Sequence, residues 1–150
     1  METTTIKNEP QTVQSTEIEN VKLVKKFYTL LDEQKLDDLD ALLTSNHEIY
    51  YQSGKNPVTL EDMKPYMKMF FTAFPDYTHN LGHTIAHDNM VSIYMTYTAT
   101  HKNKFMEIAP TNKKIDYAGI GNFEIIDGKV NKAWIVEDEL TMMKQFGAIE

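Results

Sequence analysis

The 150-residue sequence contains no cysteine, and its basic residues are too few to balance its acidic ones. Without cysteine the chain can form no disulfide, no thiolate nucleophile and no cysteine-ligated metal site. With 22 acidic and 15 basic side chains, the formal net charge is −7. Because nucleic acids and acidic membrane surfaces are bound through positive patches, we predict neither as a partner.

Long apolar runs are also missing. No stretch approaches the ~18 apolar residues of a transmembrane helix, and the N-terminal sequence METTTIKNEPQTVQST lacks the apolar core of a signal peptide. We therefore expect a cytoplasmic protein whose residues 1–16 form a disordered tail. Residues 17–150 are enough for a single domain with a real core.

Several signatures of catalytic and cofactor sites are absent from the sequence. It has no GxSxG nucleophile elbow, no phosphate-binding glycine loop and no dinucleotide fingerprint, so we expect neither nucleophilic serine chemistry nor a bound nucleotide. His79, His83 and His87 are spaced four apart, but the glycine and β-branched residues between them favour a strand, on which neighbouring members lie about 13 Å apart. We expect no metal site, since zinc needs its ligands within ~2.1 Å.

Helical periodicity appears in three segments of the N-terminal half. The sequence TEIE, which begins at Thr16, has the form of a capping box and precedes apolar residues at helical spacing as far as Leu31. Leucines from Leu36 to Leu43 predict a shorter second helix. A third helix is predicted with its cap near Asp62 and its end at Pro75.

The rest of the chain alternates in the manner of β-strands. We predict strands over residues 47–52, 79–87, 91–102, 114–126 and 130–137, and a last helix over residues 139–146 that stops at Gly147. Asp88-Asn89 and Asp127-Gly128 are two-residue hairpin signals, which predict an antiparallel meander. Without βαβ alternation, the fold class is α+β: a curved antiparallel sheet wrapped around N-terminal helices, with a conical pocket between them.

Side-chain parity along the strands selects candidate functional residues. Tyr97 and His101 share one largely apolar face of their strand, while Trp134 and Asp138 share a face of the last strand and lie about 13 Å apart. A carboxylate at the end of an apolar row loses hydration, which raises its pKa and suits it to proton transfer. Two structural alternatives stay open: Asp138 could cap the last helix, and His101 could simply pack in the strand.

The order and spacing of four segments point to a known family. FPDY after a helix, then TATHKNKFMEIAPTNKK, IIDGKVNKAWIVED and KQFG resemble the SnoaL-like polyketide cyclase (ester cyclase) family from about Val21 to Gly147. The resemblance implies the cystatin-like cone fold shared with nuclear transport factor, scytalone dehydratase and ketosteroid isomerase. It also implies that the aspartate of W-x-x-x-D, here Asp138, is the general acid/base of an intramolecular aldol ring closure. The histidine of the G-T-H element, here His101, would lie beside the substrate carbonyl.

The sequence departs from the family pattern at three positions. Ala99 replaces the glycine before Thr-His, and Asn103 and Asn112 replace loop glycines. Because asparagine tolerates the left-handed conformation better than most residues, the loop can keep its shape. The methyl group of Ala99 could narrow the pocket.

The leading hypothesis is a cofactor-independent cyclase, or a related isomerase or lyase, that acts on a small hydrophobic keto substrate. Asp138 would remove a proton next to a carbonyl, and His101 would stabilise the charge that collects on the oxygen. The predicted substrate-binding residues are His47, Tyr51, Phe74, Tyr97, Tyr117 and Trp134.

Two other hypotheses stay open at this point. The same fold could hold an apolar ligand without catalysis, and the three departures from the family pattern favour this alternative. The outward sheet face with Tyr94, Thr96 and Thr98 could instead form an assembly surface. A homodimer is compatible with either function.

Overall fold

Three α-helices, a 3-10 helix and five strands make up residues 11–150, the part of the chain that the computed structural model describes; side chains are described from Ser15 onward. In chain order these elements are α1 (Gln11–Asp32), the 3-10 helix (Leu36–Leu42), β1 (Leu43–Tyr51), α2 (Leu60–Ala73), β2 (Thr78–His87), β3 (Met90–Thr100), β4 (Lys114–Ile126), β5 (Lys129–Glu137) and α3 (Glu139–Phe146). None of the helices in this part of the chain is long and apolar enough to cross a membrane.

The five strands form one sheet in the order β1-β5-β4-β3-β2. Strands β2 to β5 pair antiparallel with their sequence neighbours, and β1 pairs in parallel with β5 at the edge. Asp88, Asp127 and Gly128 at the two hairpins have φ values of 51°, 50° and 74°, which are the left-handed conformations that such short turns require. The predicted α+β fold class is confirmed.

The hydrophobic core fills the space between the inner face of the sheet and the helices. α1 packs along β2 and β3, and α3 packs on β4. Phe27 of α1 meets Phe123 of β4 edge-on, with ring centroids 5.8 Å apart, and both side chains are at most 2% exposed. Burying each such ring contributes about 1.5–3 kcal/mol, so these contacts fix α1 over the sheet.

The first helix is longer than the sequence predicts. α1 begins at Gln11, so Thr16 lies inside the helix, and the prediction that the helix begins there is wrong. Glutamine and threonine cost a helix no more than about 0.7 kcal/mol relative to alanine, so this largely polar segment can continue it. Of the predicted tail, residues 11–16 belong to α1, and residues 1–10 lie outside the described part.

The predicted second helix is a 3-10 helix of seven residues. Its buried residues are Leu36, Leu39 and Leu42, and this spacing of three matches the three residues per turn of a 3-10 helix. The leucines predicted to be apolar contacts are therefore buried, but the helix that carries them is a 3-10 helix and not an α-helix.

The third helix, α2, begins earlier than the sequence predicts. Its N-cap is Thr59, and Asp62 is the third helical residue. Asp62 N donates to the Thr59 hydroxyl oxygen at 3.3 Å, and Thr59 N donates to the Asp62 carboxylate at 2.9 Å, which is the reciprocal geometry of a capping box. The cap predicted near Asp62 thus lies three residues earlier, at Thr59, and the helix ends at Ala73, two residues before Pro75.

A bulge in β5 reverses the direction of its side chains. Val130 pairs with Ile125 and Lys132 pairs with Glu124, so Asn131 is an extra residue without a partner in the ladder. Because side chains alternate strictly along a strand, one extra residue moves every later side chain to the other face. Beyond the bulge, the odd-numbered residues of β5 face the core.

A second irregularity has the same effect in β2. The register of β2 on β3 shifts between Leu81 and Thr84. His79, before the shift, has a side chain that is only 6% exposed, whereas His83 and His87, after it, are exposed on the outer surface. The three histidines therefore lie on different faces of one strand.

The loop between β3 and β4 carries the two asparagines that replace family glycines. Asn112 has a left-handed φ of 58°, as a glycine replacement at this position would require. Asn103 is not left-handed, and its side-chain amide donates to the Thr72 carbonyl at 2.8 Å. The expected conformation is thus present at Asn112 and not at Asn103.

Candidate active site

An apolar cavity of about 80 Å³ lies between the inner face of the sheet and helices α1 and α2. Phenylalanine, leucine, isoleucine and methionine side chains make up most of its wall. The polar groups that line it are Tyr28, Tyr51, Tyr66, Tyr77, His79, Tyr117, Glu137 and Glu139. A concave apolar surface with a few converging polar groups is the usual form of a small-molecule site.

Glu137, the last residue of β5, is the central carboxylate of this cavity. The Tyr51 hydroxyl lies 3.0 Å from Glu137 Oε2 and 3.1 Å from Glu139 Oε1. Burial raises the pKa of Glu137 to about 7; the hydrogen bond from Tyr51 opposes this rise, and the negative charge of Glu139 adds to it. A carboxyl group with this pKa can take up and release protons near neutral pH.

Four tyrosines surround the Glu137 carboxylate. The hydroxyls of Tyr77 and Tyr117 are hydrogen-bonded to each other at 2.9 Å, while those of Tyr28 and Tyr97 are buried and have no hydrogen-bond partner among the described residues. Burial and then the charge of Glu137 raise the pKa of all four tyrosines. The four phenols are therefore neutral hydrogen-bond donors at physiological pH.

Two glycines of β4 make room for the unpartnered hydroxyls. A Cβ atom at Gly119 would lie 2.6 Å from the Tyr97 hydroxyl, and one at Gly121 would lie 2.6 Å from the Tyr28 hydroxyl. Both distances are shorter than any normal contact, so any larger residue would displace these rings. The Gly-x-Gly of β4 is thus a sequence signal for the site, and sequence reasoning missed it.

His79 is a second titratable group in the cavity wall. Its Nδ1 atom lies 2.5 Å from Oδ1 of Asp32, the last residue of α1. Sequence reasoning considered His79 only as a metal ligand, and it did not connect Asp32 with the site. Because the two residues are 47 positions apart, no local pattern could have paired them.

Asp138, the predicted catalytic acid, lies outside this cavity. Its exposed carboxylate accepts hydrogen bonds from Thr141 N at 3.0 Å and from the Thr141 hydroxyl at 2.7 Å, and these bonds lower its pKa. The N-cap interpretation is confirmed. The prediction that Asp138 and Trp134 face the pocket is wrong, because the extra residue Asn131 reverses the parity of β5.

His101, the other predicted catalytic residue, is completely buried but does not line the cavity. Its ring packs between Phe74 and Phe146, with centroid distances of 5.2 and 5.1 Å, and its Nδ1 atom accepts a hydrogen bond from Thr111 N at 3.3 Å. Burial lowers the pKa of His101, because the charged imidazolium would lose its hydration. The apolar face predicted for His101 is correct, but the structure does not bring it together with Asp138.

Three of the predicted substrate-binding residues lie at or next to the cavity. Tyr51 and Tyr117 line it. Tyr97 lies beneath the wall, with its ring stacked on Tyr117 at a centroid distance of 4.8 Å. Contact of these residues with a substrate remains a prediction.

The other predicted residues have structural positions outside the cavity wall. Phe74 is fully buried in the core, and Trp134 stacks on Tyr50 with ring centroids 5.7 Å apart. The two ring nitrogens of His47 contact the Thr44 carbonyl at 2.8 Å and the Leu60 amide at 2.9 Å. His47 therefore holds the start of α2, and Ala99 also lies outside the wall, so its methyl group does not narrow the cavity.

Within the described residues, Glu17, His87 and Asp88 form a group whose ligand atoms lie within 4.8 Å of one another. Glu17 Oε1 already accepts a hydrogen bond from Asp88 N at 2.8 Å, and the His87 side chain is 87% exposed. The group is thus explained as a contact between α1 and the β2–β3 turn.

Comparison with known proteins gives a family model and several similar structures. A model of the SnoaL-like polyketide cyclase family matches residues 21–146, and no curated protein matches the sequence significantly. AclR, a candidate hydroxylase from Streptomyces galilaeus, is 23% identical over 89% of this chain and 99% of its own, with a TM-score of 0.81. IdmH, a candidate polyketide cyclase from Streptomyces antibioticus, is 19% identical over 85% and 98% of the two chains, with a TM-score of 0.79.

A candidate polyketide cyclase from Bacillus cereus is also similar, at 25% identity over 88% of this chain and 83% of its own, with a TM-score of 0.74. The TM-scores show that these structures share the fold of this chain, and the family model covers most of the chain. The resemblance seen in the sequence is confirmed, and the protein belongs to the SnoaL-like polyketide cyclase family.

Proposed function

We propose that this protein is a cofactor-independent enzyme that transfers protons on a small hydrophobic keto compound, as a cyclase or a related isomerase or lyase, with Glu137 as its general base. The observation that carries the proposal is the Glu137 carboxyl group, which lies in an apolar cavity and has a pKa of about 7. Proton transfer by a carboxylate with this pKa typically contributes 10²–10⁴-fold to a reaction rate.

The reaction begins with an α-hydrogen of the bound ketone. The Glu137 carboxylate takes this hydrogen as a proton, and the electron pair of the broken C–H bond forms the enolate. The neutral hydroxyl of Tyr28, which lines the cavity and lacks a partner among the described residues, is available as a donor to the enolate oxygen. When the same molecule contains a second carbonyl, the enolate carbon can attack it and close a ring, and Glu137 then returns the proton.

Assigning the base to Glu137 instead of Asp138 rests on position. Both are carboxylates at the end of β5, but only Glu137 lines the cavity. Removing hydration from a carboxylate makes it a stronger base, and the exposed Asp138 keeps both its hydration and its two bonds to Thr141.

Exchange of the α-hydrogens of cyclopentanone in D₂O, followed by proton NMR, tests the proposal. Cyclopentanone is a small apolar ketone, and its exchange requires only the first proton transfer. We expect the wild-type protein to accelerate exchange above the buffer rate, and the ascending limb of its pH profile should have a midpoint of about 7. Glu137→Gln should lose at least ~100-fold of this acceleration, and the control Asp138→Asn should keep it.

Two outcomes would overturn the proposal. If Asp138→Asn lost the activity and Glu137→Gln kept it, the base would be Asp138, as the family resemblance implies. If the wild-type protein did not accelerate exchange while saturation-transfer NMR detected bound cyclopentanone, the protein would be a binding module of the same fold.

We also propose a homodimer formed through the outer sheet face. Tyr94, Ile120 and Val136 are direct neighbours across β3, β4 and β5 and are 37%, 46% and 57% exposed. An apolar row of this kind is typical of interaction surfaces. Sedimentation velocity should give a dimer for the wild-type protein and a monomer for Ile120→Lys; a wild-type monomer would contradict this part of the proposal.

A further inference from the structure

We propose that His79, positioned by Asp32, is the second proton-transfer group of the cavity and donates a proton from Nε2 to the carbonyl oxygen of the keto substrate. The inference rests on the proposed function and extends it, since it supplies the acid that complements the base Glu137. A base alone produces a charged enolate, whereas a base and an acid acting together produce a neutral enol.

The Asp32 carboxylate holds the His79 ring in one orientation. His79 Nδ1 lies 2.5 Å from Asp32 Oδ1, and the backbone N–H of His79 donates to Oδ1 and Oδ2 at 3.1 and 3.2 Å. A carboxylate can only accept hydrogen bonds, so Nδ1 must carry a proton. The tautomer and orientation of the ring are therefore fixed, and Nε2 is the nitrogen that remains for chemistry.

Asp32 occupies a position that favours a positively charged partner. It is the last residue of α1, where the helix dipole disfavours a negative charge. A cationic imidazolium at His79 offsets this charge as well as the dipole. Asp32 is thus a positioning residue that orients the ring and does not itself line the cavity.

Nε2 of His79 is available within the cavity wall. It makes no hydrogen bond to any described residue, while the ring itself lines the cavity. The side chain is 6% exposed, so bulk water has little access to it. This differs from the nitrogen of an exposed strand histidine such as His83, whose ring stacks on Tyr94 on the outer face.

Several titratable groups face the His79 ring from the elements packed against it. Tyr28 of α1, Tyr77 before β2 and Tyr97 of β3 lie with ring centroids 4.9, 5.0 and 5.3 Å away. All three are kept neutral by their raised pKa values. The carboxylates are Asp32, which contacts the ring, and Glu137 and Glu139, which lie elsewhere in the cavity wall.

The two groups complete one balanced step on a ketone. The Glu137 carboxylate forms an O–H bond with the α-hydrogen, and the pair from the C–H bond becomes the carbon–carbon double bond of the enol. The pair released from the C=O double bond takes the proton from His79 Nε2. The products are a neutral enol, a protonated Glu137 and a neutral imidazole, and the reverse step restores the starting state.

The pH dependence of cyclopentanone exchange tests this assignment. With a base and an acid both required, the wild-type profile should be bell-shaped: it rises as Glu137 ionises and falls as the His79 imidazolium loses its proton. His79→Gln should slow exchange by about 100-fold and remove the falling limb. The control His83→Gln changes an exposed histidine of the same strand and should leave the profile unchanged.

Asp32→Asn separates a positioning role from a purely structural one. Without the carboxylate, Nδ1 is no longer held as a donor in one orientation, so the maximal rate of exchange should fall while the KM for cyclopentanone stays unchanged. A residue that only tied α1 to β2 would change the unfolding free energy and leave the maximal rate of the folded protein unchanged, and that result would overturn the assignment.

Nitrogen-15 NMR of the imidazole gives a readout that is independent of turnover. In the wild-type protein and in Glu137→Gln, Nδ1 of His79 should stay protonated over the whole titration while Nε2 titrates. A titrating Nδ1, or a bell-shaped profile retained in His79→Gln, would contradict the inference. If Glu137→Gln lost the activity and His79→Gln kept it, Glu137 would remain the proposed base and only the assignment of His79 would fail. The two proposals can therefore fail separately.

Discussion

Glu137 and Asp138 are consecutive carboxylates whose surroundings have opposite effects. Glu137 faces the apolar cavity, where burial raises its pKa to about 7. Asp138 faces solvent, where two hydrogen bonds from Thr141 lower its pKa. Both side chains are carboxylic acids, so the difference between them is one of position. Adjacent residues of one strand end thus serve as a candidate proton-transfer group and as a helix cap.

His79 and His101 repeat the comparison with imidazoles. Both are largely buried and both project inward from the sheet. His79 lines the cavity and has a carboxylate partner at 2.5 Å, whereas His101 is enclosed by Phe74 and Phe146, and burial lowers its pKa. Burial alone therefore does not make a functional histidine; access to the ligand space and a charged partner distinguish the two.

The largest effect that we predict on folding stability comes from the buried carboxyl of Glu137. Its pKa is raised from 4.5 to about 7, so ionisation is easier in the unfolded chain than in the folded one. The contribution of Glu137 to the free energy of unfolding is fully present below the pKa of the unfolded chain, and it is lost as the pH rises through about 7. The loss amounts to ~3 kcal/mol above this window.

Glu137→Gln removes this loss because glutamine does not ionise. Urea unfolding should therefore show the variant gaining stability relative to the wild-type protein as the pH rises from about 5 to about 8. The matched control, Asp138→Asn, should run parallel to the wild-type protein over this range, because the lowered pKa of Asp138 keeps it ionised throughout. Parallel wild-type and Glu137→Gln stability curves would contradict the pKa assigned to Glu137.

A smaller effect is expected where β4 passes beneath the site. Gly119→Ala would place a methyl group 2.6 Å from the Tyr97 hydroxyl and 2.8 Å from the Val136 carbonyl. We expect a loss of about 1–3 kcal/mol in the unfolding free energy, the usual cost of overpacking. Tyr97→Phe removes only an unpartnered hydroxyl and should have little effect on stability, and equal stability of the wild type and Gly119→Ala would show that the strand can relax.

The smallest effect concerns the cap on the outer side of the sheet. Asp138→Ala removes both bonds to Thr141 and should cost about 1 kcal/mol of stability, measured by thermal or urea unfolding. Asp138→Asn should be close to the wild-type protein, because asparagine is a comparably good N-cap. Neither change should alter the pKa of Glu137, and a shift there would mean that the two faces of β5 are coupled.

The strands and the last helix could be predicted because their patterns are strong and local. β4 and α3 have the bounds predicted from alternation and from Gly147, and the hairpin signals gave the antiparallel order. The parallel pairing of β1 with β5 could not be predicted, since it joins residues more than eighty positions apart. The sequence pattern of one strand contains no information about which edge it joins.

The site was harder to predict than the fold. Asp138 was expected in the pocket because the prediction assumed strict alternation of side chains along all of β5. The local sequence gives no signal for the extra residue at Asn131. Glu137 was on the wrong face by the same reasoning. The pair of His79 with Asp32 forms only when α1 packs on β2, so it required the tertiary structure.

A carboxyl carbon-13 NMR titration of the wild-type protein is the most direct test of the account. We expect the side-chain carboxyl of Glu137 to titrate with a midpoint of about 7 and that of Asp138 to titrate below its ordinary value of 3.8. A Glu137 midpoint near the ordinary value of 4.5 would contradict it, because a fully hydrated carboxylate cannot be the base of an apolar cavity.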